Sequence, residues 1–271
     1  MKITIAHTPD PDDSFMFYAM LENKIETNYD YSQVVKDIET LNLEAPAEKY
    51  DVTAISANGF SHVSDRYYLL SSGASFDISY GPLVVAKKHV DLGHAVLGVP
   101  GLKTSAYLLY RMFGPTPNKF VEVRFDEIPE RILSGQIDAG ILIHDEQLVF
   151  QNKGLVEVLN LYSKWREYAG DLPIPLGFNA IRKSLGKEVA AKYNEDFANS
   201  IKYAVDHEDE AVDYAMRYAR YSNHDLEKKF IRMYVNDLSV DFGPAGRKAL
   251  EKYYGRAVSM GIIKDFSYEI I

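Results

Sequence analysis

The chain has 271 residues, 46% of them hydrophobic and 25% charged, with a formal net charge of −9 and no cysteine. This is ordinary globular composition, with apolar material enough for one large domain or two small ones. The acidic balance argues against a nucleic acid, which needs clustered Lys and Arg, and leaves room for a small anionic ligand. The missing thiols exclude disulfides, thiolate catalysis and cysteine-ligated metals. No stretch approaches the roughly 18 apolar residues of a membrane span. The start, Met1 to Asp10, lacks the apolar run and cleavage site of a signal peptide. A cytoplasmic protein is expected.

In chain order, Lys2 to Ala6 reads as a strand and His7 to Phe15 as a rigid loop with two prolines. Asp12 or Asp13 is placed to cap a helix over Ser14 to Glu22, which is apolar nearly all round and so expected to be buried. Tyr29 to Val35 reads as a strand and Asp37 to Ala45 as a helix. Asp51 to Ser56 is a buried strand followed by Ala57-Asn58-Gly59. Tyr67 to Ser72 and Pro82 to Lys87 are strands joined by a polar, Gly-rich connection. A second unit follows. Ala95 to Val99 is a strand, and Pro100-Gly-Leu-Lys-Thr-Ser-Ala106 turns into a helix that runs to Phe113. Phe120 to Phe125 is a strand, and Asp126 caps a helix with Ile128, Ile132 and Leu133 on one face.

Gly135 suits the left-handed end of that helix. Ala139 to Ile143 then forms a short strand covered on both faces, with His144 just past its end. In open α/β sheets ligands bind beyond the carboxyl ends of the strands, so His144 falls where a site is expected. A histidine there can take a proton at physiological pH, and Asp145 or Glu146 can raise its basicity. Asp51 to Ser56 and Asp138 to Ile143 echo one another: each is an acidic residue that opens a buried strand. Leu172-Pro-Ile-Pro-Leu-Gly177 is extended by its prolines and suits a return crossing between domains. The remainder reads as helical, with Leu185, Val189, Tyr193, Phe197 and Ile201 on one face. Leu226, Phe230 and Tyr234 repeat the same spacing, and Ala249, Tyr253, Ala257 and Met260 point inward in a last helix.

Taken together, these segments resemble the 1,4-dihydroxy-6-naphthoate synthase family of menaquinone biosynthesis. The resemblance is carried by the Pro-rich loop and buried aromatic helix, Asp51 to Ser56, Gly81 to Val85, Pro100 to Ala106, Phe125 to Ile128 and Ile143 to Glu146. Leu172 to Gly177, Met233 to Asp237 and Asp241 to Gly243 continue it. It implies an α/β, two-lobed fold of the type II periplasmic-binding-protein kind with a central cleft. The lobes are expected at 1–86 plus 177–271 and at 87–176. It implies no metal and no organic cofactor. The implied reaction is cleavage of cyclic dehypoxanthine futalosine to 1,4-dihydroxy-6-naphthoate, with His144 at the position of the family's base. The sequence departs from the family in the opening loop. There the usual Ser-Pro-Cys-Pro-Asn-Asp-Thr-Phe is replaced by Thr8-Pro-Asp-Pro-Asp-Asp-Ser-Phe15.

The expected substrate-binding residues follow. Thr104, Ser105 and Ala106 open a helix whose N–H groups suit a carboxylate, with Lys103 nearby, or simply cap it. Asp13 and Ser14 suit a substrate hydroxyl or a helix cap. Ser56 and Asn58 lie past a strand end. Trp165 and Tyr168 could cover an aromatic ligand or pack in the core. Asp10, Asp12 and Asp13 fall short of a calcium loop. The other histidines lack metal-ligand spacing and read as structural or solvated. Competing functions are a chorismate dehydratase-like enzyme, which the Met233 to Asp237 segment fits less well, and a solute-binding protein, which would need an export signal. A homodimer is compatible with the chain.

Overall fold

The computed structural model describes residues 1–144, 146–219 and 223–271. Lys2–His7 buries Ile3 and Ile5 and pairs in parallel with Asp30–Val35 on one side and Val52–Ser56 on the other. The long strand Ile174–Arg182 adds to Val52–Ser56 antiparallel and carries Tyr67–Leu69 and Ser75–Asp77. This six-stranded sheet belongs to a unit comprising Met1–Phe76, Pro175–Arg247 and Asp265–Ile271.

Its core is built around the helix Pro11–Leu21, buried from Pro11 to Met20 as its unbroken apolar surface requires. The helix packs on Lys187–Asp206 and on Glu208–Ala215. Phe17 stacks on Phe197 with centroids 4.3 Å apart. Ser200 Oγ donates to the Met16 carbonyl at 2.8 Å and accepts from the Met20 N–H at 3.2 Å. The helix starts three residues earlier than the sequence suggests. Proline's fixed φ and missing N–H suit a first helical position, so Pro11 opens the helix and Asp10 precedes it, without a side-chain cap bond. Neither Asp12 nor Asp13 is the cap.

The second unit comprises Asp77–Ile174 and Lys248–Lys264. Its five-stranded sheet runs Val156–Asn160, Leu83–Ala86, Ala139–Leu142, Val96–Val99, Lys119–Glu122. Ala139–Leu142 is parallel to Val96–Val99 and antiparallel to Leu83–Ala86. Gly98 and Gly140 face each other in that register. A Cβ on Gly140 would collide with Ile128 Cγ2, and one on Gly98 would come within 2.5 Å of Ile137 Cδ1. The helix Ile128–Leu133 thus sits tightly over the strand that leads to His144.

The two units differ from the expected division at both limits. Leu83–Ala86 belongs to the second unit because it pairs with Ala139–Leu142 and Val156–Asn160. The end of the last helix also belongs there, since Tyr253 OH donates to the Ser105 carbonyl and Arg256 Nη2 to that of Met112. The chain passes back to the first unit at Ile174–Pro175, inside the extended proline segment. Four other expectations are corrected. Ser75–Asp77 is a strand and not connection, Ile174–Arg182 continues as strand past Gly177, the Phe120 to Phe125 strand ends at Glu122, and Met260 is 48% exposed. The strand Val156–Asn160 and the helix Leu161–Ala169, which buries Leu161, Trp165 and Ala169 at four-residue spacing, are not among the expected elements.

Gly140→Ala is expected to lower stability by about 1–3 kcal/mol, the usual cost of overpacking a filled core. Denaturant unfolding with an unchanged m-value checks this. An unaltered midpoint would mean that the Ile128–Leu133 helix is not held against the strand.

Candidate functional site

Each unit gathers polar residues at the carboxyl ends of its parallel strands. In the second unit, Ala139–Leu142 leads through Ile143 to His144, whose φ of 57° is left-handed. Histidine enters that region more readily than most residues, though still at some strain. The His144 carbonyl accepts from both the N–H and the side-chain Nε2 of Gln147, each at 3.3 Å. The half-buried imidazole meets the Phe125 ring at 5.0 Å between centroids, 70° between planes. Glu146 is buried and ion-paired with Lys153 at 2.6 Å, so its charge is matched by that lysine. Asp145, the other neighbour expected to influence the base, lies outside the described residues.

The adjacent parallel strand, Val96–Val99, leads to the helix Ser105–Phe113. Thr104 is its N-cap. Its hydroxyl accepts from the Tyr107 N–H at 3.2 Å and donates to the Gly101 carbonyl at 2.8 Å. The Thr104 side chain therefore serves the cap. Ser105 and Ala106 contribute the first helical N–H groups and are themselves buried. Thr104 to Ala106 and His144 thus follow the ends of neighbouring strands of one sheet.

In the first unit, Lys2–His7 leads into the acidic loop. Asp13 Oδ2 accepts from Thr8 N at 3.0 Å and from Thr8 Oγ1 at 2.8 Å, closing the loop on itself. His7 is fully buried; Nδ1 donates to the Thr8 carbonyl at 2.8 Å, and Nε2 lies 2.8 Å from Gln33 Oε1. Burial holds the Asp12 carboxyl well above the usual carboxylate range, and the charges of Asp13 and Asp10 push it the same way. Burial also raises Asp13, opposed by His7 and by the bonds from Thr8. Ser14 Oγ and Asp12 Oδ1 are buried and accept or donate no hydrogen bond among the described residues. Past Val52–Ser56, Asn42 holds Ser56 twice: its Oδ1 accepts from Ser56 N at 2.9 Å and its Nδ2 donates to Ser56 Oγ at 3.0 Å. Asn58 is buried in the short helix Ala57–Phe60.

Trp165 is fully buried and donates to the Leu172 carbonyl at 2.8 Å, so it is a core residue and not a ligand cover. Tyr168 packs against Phe113 and Trp165. Among the described residues no group of three or more His, Asp or Glu is arranged to hold a metal ion. Asn42 lies on a different element from Ser56, and no spacing rule links the two; Gln147 follows His144 at the three-residue spacing of a turn, and Phe125 stands in the segment Phe125 to Ile128.

The chain is 33% identical to the 1,4-dihydroxy-6-naphthoate synthase of Thermus thermophilus over 96% of its length and 95% of that protein's. It is 42% identical to a crystallographically solved protein of Archaeoglobus fulgidus, with a TM-score of 0.93 over 97% of this chain and 98% of that one. A Candida albicans protein described as having the generic periplasmic binding protein fold superposes with a TM-score of 0.70 at 12% identity, over 98% of this chain and 92% of that one. The likeness shows that the two α/β units make a fold of the periplasmic-binding-protein kind. The pattern of the menaquinone biosynthesis family runs through residues 3–259, and the chain belongs to that family.

Proposed function

We propose that this chain is a lyase that cleaves cyclic dehypoxanthine futalosine to 1,4-dihydroxy-6-naphthoate, with His144 as the proton-abstracting base. In this reading the imidazole takes a proton from the bound substrate. The electron pair left behind breaks a carbon–carbon bond of the cyclic skeleton; the aromatic part leaves as the naphthoate, and the remaining carbon fragment leaves as a second product that takes the proton back from the imidazolium. The carboxylate of the substrate meets the start of the helix Ser105–Phe113, where N–H groups and the helix dipole favour an anion. The protein acts in the cytoplasm, without metal or organic cofactor.

The observation that carries the reading is the setting of His144. It is half-buried, held in a left-handed backbone conformation past the end of a central parallel strand, next in the sheet to the strand that feeds Thr104 to Ala106. Backbone strain at a polar residue is a mark of functional sites; Asn23 and Glu48 share the left-handed φ, and it is the strand-end position that sets His144 apart. Family membership and the name of the Thermus relative support a naphthoate product in menaquinone biosynthesis.

The test is incubation of purified protein with cyclic dehypoxanthine futalosine, with naphthoate followed by absorbance and mass. The variant of choice is His144→Asn, because Asn tolerates a φ of 57° and Ala does not. Turnover is expected to fall at least 100-fold, in line with the loss of a general base, with the melting temperature nearly unchanged. Naphthoate formed by His144→Asn at the wild-type rate would exclude His144 as base. Thermal stabilisation by the substrate without any product from the wild type would point to a binding protein.

Asp12 stands where the family usually has Asn. Its carboxyl is raised in the fold, so folding takes up a proton once the pH exceeds the unfolded value of about 4. The stability from the protonated side chain is complete below that value and is lost as the pH rises towards the folded one. Asp12→Asn removes this loss. The variant is expected to retain turnover and to gain stability over the wild type progressively as the pH rises above about 4. Parallel melting curves of the two proteins across that range would show that Asp12 is ionised in the fold.

A further inference from the structure

We propose that the second unit carries a binding site for a small aromatic carboxylate, separate from the residues around His144. The site is the cleft lined by Met112, Phe113, Lys164, Glu167, Tyr168 and Arg256, about 340 Å³ in volume. That is within the range of small-molecule pockets. Three helices meet there: the carboxyl end of Ser105–Phe113, the helix Leu161–Ala169 and the end of Gly243–Ser259. Lys164 and Tyr168 stand four residues apart on the second helix, as do Lys252 and Arg256 on the third, so each pair shares a face. Thr104 to Ala106 mark the opposite end of Ser105–Phe113. At the usual rise per residue the two ends of that helix lie roughly 13 Å apart.

The Arg256 guanidinium lies 4.5 Å from the centroid of the Phe113 ring and 4.6 Å from that of Tyr168. The Lys252 ammonium lies 5.2 Å from the Tyr168 centroid. Arg256 Nη2 donates at 3.1 Å to the Met112 carbonyl, one of those that a helix end leaves without an intrahelical partner. These contacts hold the guanidinium in place but do not neutralise it. Among the described residues neither Arg256 nor Lys252 has an acidic partner, and the buried Nε of Arg256 has no acceptor. Lys164 is matched by Glu167 at 2.8 Å. The cleft and its rim thus hold three cations against one anion, on a chain of net charge −9. Buried donors without acceptors are rare in folded proteins. A carboxylate in the plane of the guanidinium supplies both the acceptor and the charge. The half-buried rings of Phe113 and Tyr168 offer apolar surface to an aromatic body on the same ligand. Helix capping by Arg256 accounts for the bond to Met112. It does not account for the cleft, the second cation or the Nε without an acceptor.

The experiment is a titration of the full chain, labelled with carbon-13 at its methionine methyl groups, with 2-naphthoate as the probe. The Met112 methyl signal is identified by its loss in Met112→Leu. It is expected to shift and saturate with a Kd of about 1 mM or less, as the usual affinity per atom of a drug-sized ligand gives. Naphthalene-2-carboxamide has the same shape without the charge and is expected to bind at least fivefold more weakly. Lys252→Glu is expected to weaken 2-naphthoate about fivefold, the upper range for one exposed charge pair, with the melting temperature nearly unchanged. Arg256→Gln is expected to abolish the shift. Should that variant fail to fold for want of its bond to Met112, Lys252→Glu decides. In His144→Asn the titration of Met112 is expected to match the wild type. A Met112 signal that does not saturate would overturn the proposal. So would equal binding of the carboxamide, an unchanged Kd in Lys252→Glu, or loss of the shift in His144→Asn. No turnover is read, so the result stands apart from the reading of His144 as base.

Discussion

Asp51 and Asp138 perform the same task in the two units. Asp51 Oδ2 accepts from the N–H of Thr4 at 2.8 Å, and Asp138 Oδ2 from the N–H of Val96 at 2.7 Å. The bond is returned in each case, from Asp51 N to Thr4 O and from Asp138 N to Val96 O. Each carboxylate therefore pins the start of its own strand to the parallel neighbour, at Thr4 within Lys2–His7 and at Val96, the first residue of Val96–Val99. A slip of one residue would turn every side chain of the strand to the opposite face. The pin prevents that slip, and so decides which residue emerges at the other end. In the first unit that end delivers Ser56; in the second, Ile143 and then His144. The strand that bears the Asp also has the same surroundings in both, parallel on one side and antiparallel on the other. The anchoring end and the candidate reacting end of each strand are thus separate, and the chemistry at one need not compromise the register set at the other.

Much of this was legible in the sequence. Asp-Val-Thr-Ala-Ile-Ser and Asp-Ala-Gly-Ile-Leu-Ile announce two buried strands opened by an acid, and the structure makes them equivalents. The buried helix after the opening loop was visible because its apolar residues cover every face. Helix faces built on four-residue spacing held where side chains meet a core, as at Tyr193, Phe197 and Ile201, and lapsed at the chain's last turn, where Met260 reaches solvent. What could not be read was pairing between distant segments. Nothing in Leu83–Ala86 states that it joins Ala139–Leu142, so the unit boundary was misjudged. Ile174–Arg182 looked like a connector because of its prolines, which end at Pro175, just where the chain changes unit. Beyond them the segment has an uninterrupted set of donors for a central strand.

The candidate residues were legible as positions and less so as partnerships. Strand ends pointed to Ser56 and His144, and a Pro-Gly turn before Thr-Ser pointed to the start of a helix. The hydroxyl of Thr104 turns out to be engaged in the cap, and the carboxylate of Asp13 in holding Thr8. Both are therefore rigid features. Three acids in one loop resemble a cation site on paper. Burial instead raises two of them, and Asp12 in its neutral form is close in shape and polarity to the Asn that the family places there. A change of residue type can in this way preserve much of a loop's hydrogen-bonding character.

The left-handed backbone at His144 also bears on how this chain can change over generations. Few side chains accept that conformation, and Asn and Asp are the foremost among them after Gly. In the genetic code both lie one base substitution from His. The substitutions most tolerated by the backbone at position 144 are thus also among the most accessible to mutation, and each removes the imidazole while sparing the fold. A lineage built on this scaffold stands a single nucleotide away from an intact protein without the imidazole proposed as its base, and that change needs no structural rebuilding.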